Sequence, residues 1–244
     1  MFMYFDFLPA LNSLPLHTSV SKELLFTTEF QIYAEHDLVM YYSPHNDYVN
    51  KNAKIVIVGI TPGWLQMKTA FEAYLSCEQQ SLIDKLQFTK ETASYAGTIR
   101  ANLIAMLDEI GLHKAFGLSS CTELFANKRS FLHTTSLLKY PVFYKGKNYT
   151  GHNPPMKSSN LLTSFVFSVF PEELKLIDNN ALIIPLGKIV DEMLKELASA
   201  GKISQPFLTG FPHPSGANGH RLKQLAQEKN QLIKQVSAWK NDLA

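Results

Sequence analysis

The chain has 244 residues, of which 45% are hydrophobic and 18% are charged, and this is enough apolar material for a substantial core. A net charge of +2, from 23 Lys and Arg against 21 Asp and Glu, excludes a histone-like polycation and a disordered acidic tail. Two cysteines, Cys77 and Cys121, are too few for a disulfide scaffold or for a four-cysteine zinc or iron–sulfur site. We therefore expect free thiols, no bound metal and no other cofactor.

The N-terminal segment is apolar but does not have the pattern of a signal peptide. No Lys or Arg precedes Lys22, and Asp6 interrupts the apolar run, so the basic region that begins such peptides is absent. Apolar stretches such as residues 55–60 fall far short of the roughly 20 residues needed to cross a bilayer. We expect a cytoplasmic protein with no membrane association.

The strands and helices expected along the chain alternate. In residues 1–50, the clearest element is an extra edge strand at residues 37–42, and we interpret this region as an N-terminal extension packed on a single domain that spans residues 1–244. A β-branched run at residues 54–59 is typical of a strand buried on both faces of a parallel sheet. Further strands are predicted at residues 131–138, 181–186 and 205–209, and helices at residues 98–110, 158–170, 188–198 and 222–239. This order predicts a three-layer α/β/α fold around a central parallel or mixed sheet of about four core strands.

Ligands of such sheets bind at the carboxyl ends of the strands. Three segments occupy these positions, at residues 59–64, 134–139 and 213–218. A further segment, residues 139–155, is basic and aromatic with Gly and Pro at its ends, and predicts an ordered loop that either lines a nucleic-acid groove or covers a flank of the core.

The three strand-end segments, in this order, resemble the uracil-DNA glycosylase superfamily. Gly-Ile-Thr-Pro-Gly at residues 59–63 resembles its water-activating loop, and Thr-Thr-Ser-Leu-Leu-Lys at residues 134–139 resembles the central segment of its iron–sulfur branch. His-Pro-Ser at residues 213–215 resembles its His-Pro-Ser loop, and Ser-Tyr-Ala-Gly at residues 94–97 resembles the stretch that supplies a stacking aromatic. The resemblance covers about residues 55–232 and implies a uracil-DNA glycosylase-like fold, although the cysteine count separates this chain from the iron–sulfur branch.

The resemblance also implies roles for individual residues. His213 is expected to donate a hydrogen bond to the leaving base oxygen, and Tyr95 to stack on the flipped base, alongside base contacts from Gly59 and Ile60. Thr61 stands where the uracil-specific branches often carry Asn or Asp to orient the water. Thr can hold a water but is a poor general base. Therefore either catalysis depends mainly on stabilisation of the leaving base, or an acid elsewhere in the chain reaches the site and activates the water. The acids left open by the sequence are Glu72, Asp47 and Glu35.

Ser136 is the most informative departure from the family pattern. It stands where the family has the Asn that pairs with uracil, and a small rotating hydroxyl replaces that fixed donor and acceptor. We expect weaker uracil selectivity and room for a larger base. The alternative is that Thr134, Thr135 or His133 reads the base and uracil remains the substrate.

The remaining site residues are expected to contact DNA. The last loop has the position of the family's duplex-penetrating wedge, with Ala217 where other branches have Leu, so Asn218, His220 or Arg221 is expected to insert instead. The DNA contacts predicted in full are Pro62, Gly63, Lys139, Ser215, Gly216, Ala217, Asn218, His220 and Arg221.

The leading functional expectation is a monomeric, monofunctional DNA glycosylase that acts on a modified or damaged base. Water is expected to attack, since no Lys is positioned as an obvious Schiff-base nucleophile. The enlarged pocket favours a bulky modified cytosine of phage DNA, excised as antiviral defence. The alternatives are uracil or mismatch repair and a non-catalytic DNA-binding module on the same fold.

Overall fold

A computed structural model of the protein describes residues 2–79 and 81–243. The chain divides into two compact units, each assembled from three separate segments. The first unit consists of Met1–Val49, Ile60–Ala96 and Ser136–Glu173. The second unit consists of Asn50–Gly59, Gly97–Thr135 and Leu174–Ala244. The single domain expected over residues 1–244 stays a prediction.

The elements alternate along the chain as an α/β protein requires. The strands of the described residues are β1 (Gln31–Glu35), β2 (Leu38–Tyr41), β3 (Ile55–Gly59), β4 (Leu132–Ser136), β5 (Val142–Tyr144), β6 (Lys147–Asn148) and β7 (Leu182–Pro185). The α-helices of the same residues are α1 (Tyr4–Ser13), α2 (Lys22–Leu25), α3 (Trp64–Ser76), α4 (Leu82–Ala93), α5 (Thr98–Glu109), α6 (Leu112–Ala115), α7 (Asn160–Ser164), α8 (Phe170–Leu174), α9 (Lys188–Ser199) and α10 (Arg221–Asp242). Short 3₁₀ turns lie at Pro44–Asp47, Cys121–Phe125, Arg129–Phe131 and Met156–Ser158, and a π turn lies at Phe165–Val169.

A parallel pair of strands forms the centre of the second unit. β3 and β7 pair in parallel with Ile55 opposite Leu182, and β4 lies on the other side of β3. Every residue of β3 and β7 is buried, as expected for β-branched runs covered on both faces. The predicted strands at residues 54–59, 131–138 and 181–186 and the α/β class are therefore confirmed.

The predicted strand at residues 205–209 is wrong in extent. Among the described residues it is reduced to one parallel bridge, between Phe207 and Ile183. Pro206 still accepts a hydrogen bond from the Ile183 amide, but it has no N–H of its own to continue the ladder.

A second sheet, which the sequence did not indicate, lies in the first unit. Its order is β1-β2-β5-β6, and its pairs are antiparallel. The predicted edge strand at residues 37–42 is β2, but it lies between β1 and β5 and is not an edge. Residues 1–49 thus supply two strands to this unit, and the N-terminal extension expected over residues 1–50 stays a prediction.

The basic segment of residues 139–155 contains a hairpin and not only a loop. β5 and β6 are joined by Lys145 and Gly146, whose φ angles of 49° and 70° are typical of the tight turns that match strand twist. The hairpin lies beside β2, because β5 pairs with that strand.

The helices predicted at residues 98–110, 188–198 and 222–239 are confirmed as α5, α9 and α10. The one predicted at residues 158–170 is found as a continuous helical run of α7, the π turn and α8. The sequence did not indicate α3 and α4, which pack against each other in the first unit. On α4 the buried face includes Thr89 and Lys90, so its polar residues hide the helical period. In the part of the chain that the structure describes, no helix combines the length and the apolar character needed to span a bilayer.

Candidate active site

Thr61 fastens the strand-end loop of the first unit to the start of β5. Its hydroxyl donates to the Tyr140 carbonyl at 3.0 Å and accepts from the Val142 amide at 3.0 Å. Because a hydroxyl has one proton and two lone pairs, a water can be held only as a donor to the remaining lone pair. This arrangement can orient a water but does not provide a strong proton acceptor.

The adjacent start of α3 has its amides already paired. Gly63 N donates to the Gln66 side chain at 3.1 Å, and Trp64 N donates to the Asn148 side chain at 2.9 Å. A Cβ on Gly63 would lie 3.1 Å from Asn148 Nδ2, so glycine permits this close approach. Pro62 is buried beside them. A phosphate reaching these amides would have to displace the two side chains.

Tyr95 and Ser136 occupy buried positions of the first unit. Tyr95 is 6% exposed and has a φ of 50°, an uncommon backbone conformation for an aromatic residue. Burial raises the pKa of its hydroxyl, which therefore stays neutral. Ser136 ends β4 and is 7% exposed. Stacking by Tyr95 would require one ring face to be uncovered, so its role as a platform stays a prediction.

The placement of Lys139 does not fit the expected surface contact with phosphate. Its side chain is 2% exposed, and its ammonium group lies 3.1 Å from the carboxylate of Glu173, which is equally buried. Phe2 covers the same ammonium group, with its ring centre 4.4 Å away. A lysine that is buried and paired in this way supports the fold of the first unit and is not available on the surface.

Of the three acids left open by the sequence, Asp47 has the most distinctive surroundings. The Tyr140 hydroxyl donates to Asp47 Oδ1 at 2.7 Å, and the Met3 amide lies 3.2 Å from both carboxylate oxygens. Burial raises the pKa of Asp47, and the Tyr140 hydrogen bond and the Lys139 charge oppose this rise. Since Thr61 bonds to the Tyr140 carbonyl, one residue links Asp47 to the Thr61 loop.

The other two acids are engaged elsewhere in the first unit. Glu72 accepts hydrogen bonds from Ser19 and Val20, and Glu35 accepts one from Ser159. Glu72 and Glu35 are both partly exposed, whereas the 3₁₀ turn that carries Asp47 is buried throughout. Polar residues in a buried turn between two apolar stretches are the signal by which sequence reasoning could have selected Asp47.

The same buried region contains groups that the sequence analysis missed. The His45 ring lies 2.8 Å from the Ser43 hydroxyl, and burial lowers the pKa of His45, with Lys90 adding to this effect and Glu173 opposing it. Tyr42 is fully buried, and its hydroxyl is one of the groups that oppose the rise in the pKa of Asp47. We call Asp47, Tyr140, Lys139, Glu173 and His45 the buried polar cluster.

In the second unit, the backbone holds His213 in one tautomer. The Ser215 amide donates to His213 Nδ1 at 3.2 Å, so this nitrogen is the acceptor and the proton of the neutral ring lies on Nε2. Burial lowers the pKa of His213, which keeps the ring neutral at pH 7. The ring therefore presents an N–H donor rather than a cation.

Side chains from several elements of the second unit fix the His213 loop. The Asn218 amide donates to the His213 carbonyl at 3.1 Å and to Gln224 at 2.9 Å, and Asn102 donates to the Pro214 carbonyl at 2.9 Å. Because both protons of the Asn218 amide are used in the loop, its insertion into DNA would require these bonds to break.

The exposed part of this loop is small. Gly216, Ala217 and His220 are exposed, and Ser215 and Arg221 are partly exposed. Arg221 begins α10, and its Nη1 donates to the Asn218 carbonyl at 3.4 Å. Of the three residues expected to insert into DNA, His220 is thus the most accessible, and Asn218 and Arg221 are less so.

Gly187 has a conformation and a neighbour that only glycine tolerates well. Its φ is 89°, and an added Cβ would lie 3.0 Å from the Cβ of His213.

We predict that Gly187→Ala displaces the His213 ring and lowers base release, measured as alkali-labile sites per folded molecule. Gly201→Ala is the control, since Gly201 has a φ of 65° and nothing within 4 Å of its added Cβ. Equal activity of the two variants would contradict the prediction.

Comparisons with known proteins agree with the expected family. The family model of the uracil DNA glycosylase superfamily matches residues 46–237. The chain is 45% identical over 227 residues to the uncharacterized protein YoxB of Bacillus subtilis (strain 168), and the match covers 92% of this chain and 89% of that protein. A similar solved structure is the crystal structure of wild-type Pedobacter heparinus SMUG2, with a TM-score of 0.45, 14% identity, and coverage of 98% of this chain and 97% of that one. The region matched by the family model includes Asp47, the Thr61 loop and the His213 loop.

Proposed function

Because the chain belongs to the uracil-DNA glycosylase superfamily, we propose that it flips a base out of DNA and hydrolyses the N-glycosidic bond of that base, leaving an abasic site. The flip is needed because this bond cannot be reached inside the base stack. Water is the attacking group in this proposal, and the protein acts as a monofunctional glycosylase.

The fixed tautomer of His213 is the observation that carries this proposal. Breaking the glycosidic bond leaves negative charge on the base and positive charge on the sugar, so a donor placed at the base oxygen stabilises the transition state more than the ground state. The Ser215 amide leaves Nε2–H as the ring's donor, and Asn102 and Asn218 hold the surrounding loop. A preorganised neutral donor suits this task because it needs no rearrangement as the charge develops.

We assign water activation to Asp47 in this proposal. Its carboxylate is a stronger base than a surface aspartate because burial raises its pKa. Its link through Tyr140 to the Thr61 loop supports the assignment, since Thr61 can orient a water without deprotonating it. Both residues lie in the first unit.

The assignment of Asp47 predicts a pH effect. The base must be ionised, so wild-type base release should fall as the pH drops through the raised pKa of Asp47, at a higher pH than for an ordinary aspartate. Asp47→Asn should lower single-turnover base release by about 10²-fold or more and remove this acidic limb. Glu72→Gln and Glu35→Gln test the other two acids, and a larger loss at either would contradict the assignment.

The substrate that we propose is a bulky modified cytosine of phage DNA, removed as antiviral defence. Ser136 supports it, because a small side chain stands at the buried end of β4 where the family carries an uracil-pairing Asn. The experiment incubates the purified protein with phage DNA rich in modified cytosine and with uracil-containing DNA, and identifies released bases by mass spectrometry. Release of the modified cytosine is expected; release of uracil alone would favour conventional repair, and release of neither with retained DNA binding would favour a binding module.

Ser136→Asn tests the specificity directly. Restoring a donor and an acceptor in fixed geometry and filling the space should raise uracil release and lower release of the bulky base, each by at least about tenfold. Ser136→Ala is the comparison, since it keeps the position small and should gain no uracil release. A variant Ser136→Asn with an unchanged preference would show that other residues read the base.

A further inference from the structure

Three side chains of metal-binding type converge in the second unit, outside the residues assigned to base excision. Asp108 lies near the end of α5, His113 lies in α6, and Cys121 begins the 3₁₀ turn Cys121–Phe125. Their oxygen, nitrogen and sulfur ligand atoms all lie within 4.8 Å of one another. A thiol, an imidazole and a carboxylate are the ligand types that bind zinc in proteins.

The distances suit a single tetrahedral ion. Asp108 Oδ1 and His113 Nδ1 are 3.3 Å apart. Zinc bonds of about 2.0 Å to oxygen and about 2.1 Å to nitrogen, at a tetrahedral angle, separate the two ligand atoms by about 3.3 Å. The observed spacing therefore leaves room for one ion between these groups without a movement of the backbone.

His113 Nδ1 is a buried polar atom that lacks a satisfactory partner. Although Asp108 Oδ1 is 3.3 Å away, this nitrogen makes no hydrogen bond of normal geometry with any of residues 2–79 and 81–243. Buried nitrogen atoms are nearly always paired, so one that is not requires an explanation. A metal ion at the point where the three ligand atoms meet would satisfy it.

Neighbouring groups fix the positions of the other two ligands, Asp108 and Cys121. Asp108 Oδ2 accepts from the Ser120 hydroxyl at 2.7 Å, and Asp108 Oδ1 accepts from the Cys121 amide at 2.6 Å. Carboxylate oxygens have further lone pairs, and hydrogen bonds of this kind orient metal ligands in known sites. The Cys121 side chain is fully buried, which fixes its position.

We propose that Asp108, His113 and Cys121 bind one zinc ion, with a water molecule as the fourth ligand. The water has access because the side chains of His113 and Asp108 are 16% and 29% exposed. On binding, the Cys121 thiol loses its proton to solvent and a zinc–thiolate bond forms. The ion joins α5, α6 and the 3₁₀ turn, and so has a structural role that is independent of the proposed glycosylase activity.

This proposal differs from the expectation that the protein has no metal. The cysteine count excluded sites with four cysteines, but one cysteine suffices when a histidine and an aspartate complete the ligand set. The three ligands are spread over 14 residues without a recognised spacing, so the sequence did not reveal them.

Cobalt is the probe for the test, because Co²⁺ replaces zinc in tetrahedral sites and gives a charge-transfer absorption band with thiolate. The full-length protein is stripped with chelator and titrated with Co²⁺ and then with Zn²⁺, with bound metal counted by mass spectrometry. We expect one ion per chain, a thiolate band, and loss of both in Cys121→Ser. Cys77→Ser is the matched control, since Cys77 is the other cysteine and lies outside the cluster.

A second variant tests the site independently in case Cys121→Ser misfolds. His113→Gln changes a side chain that is partly exposed, and we expect it to weaken Zn²⁺ binding at least tenfold with an unchanged circular dichroism spectrum. Zn²⁺ should also raise the Tm of the stripped wild-type protein and of Cys77→Ser. Absence of bound metal in the wild type, or a thiolate band that survives in Cys121→Ser, would overturn the proposal.

Discussion

Replacing His213 with alanine is expected to lower base release by about 10²–10³-fold, the usual loss when one preorganised donor to a developing anion is removed. The reason is that His213 offers Nε2–H as a neutral donor, fixed by the Ser215 amide, and alanine offers nothing at that point. Single-turnover release of a labelled base, at saturating protein, measures the loss without interference from product release.

DNA affinity and fold should survive this substitution. The expected DNA contacts do not include the His213 ring, and phosphate contacts supply most non-specific affinity, so fluorescence anisotropy with a DNA duplex should change little. His152→Ala provides the control, because His152 is exposed and has no assigned role. If His213→Ala released base as fast as the wild type, His213 would not be the donor, and the non-catalytic DNA-binding reading would gain support.

Replacing Glu173 with glutamine is expected to destabilise the protein by about 3–5 kcal/mol, the usual cost of removing one charge of a buried ion pair. Lys139 and Glu173 are each 2% exposed, and water cannot reach the Lys139 ammonium group to compensate. The measurement is the free energy of unfolding from urea titration at neutral pH.

Asp37→Asn is the matched control in the same unit. It removes the acid of the Lys145–Asp37 pair, whose side chains are 62% and 56% exposed, and an exposed pair of this kind contributes less than about 1 kcal/mol. Equal losses from Glu173→Gln and Asp37→Asn would show that the pair of Lys139 and Glu173 does not support the fold as its burial indicates.

The sequence predicted the elements whose apolar residues form local patterns. The continuous runs of β3 and β7 and the periodic faces of α5, α9 and α10 are properties of neighbouring residues, so they could be read directly. The position of β2 could not, because its partner β5 lies about 100 residues further along the chain. Nothing local distinguishes an edge strand from one that is paired on both sides.

The candidate site was predicted in part for a similar reason. Short segments marked the Thr61 and His213 loops, but the tautomer of His213 depends on a backbone amide whose direction only the folded loop defines. Lys139 was expected at the surface because lysine is almost never buried without a partner, and its partner Glu173 is distant in the chain. The buried polar cluster therefore had no sequence signal of its own except the polar turn at Asp47.

The interleaving of the two units along the chain has a consequence for biosynthesis. All three segments of the first unit have been translated once Glu173 is made, whereas the second unit still lacks Leu174–Ala244, which carries β7 and its pairing with β3. During translation, the side of β3 that pairs with β7 therefore stays unpaired until more than 120 further residues are made, although β4 is made earlier. Long-range pairings of this kind fold slowly and expose aggregation-prone segments, so we expect this chain to depend on chaperones more than a protein of its size with contiguous units.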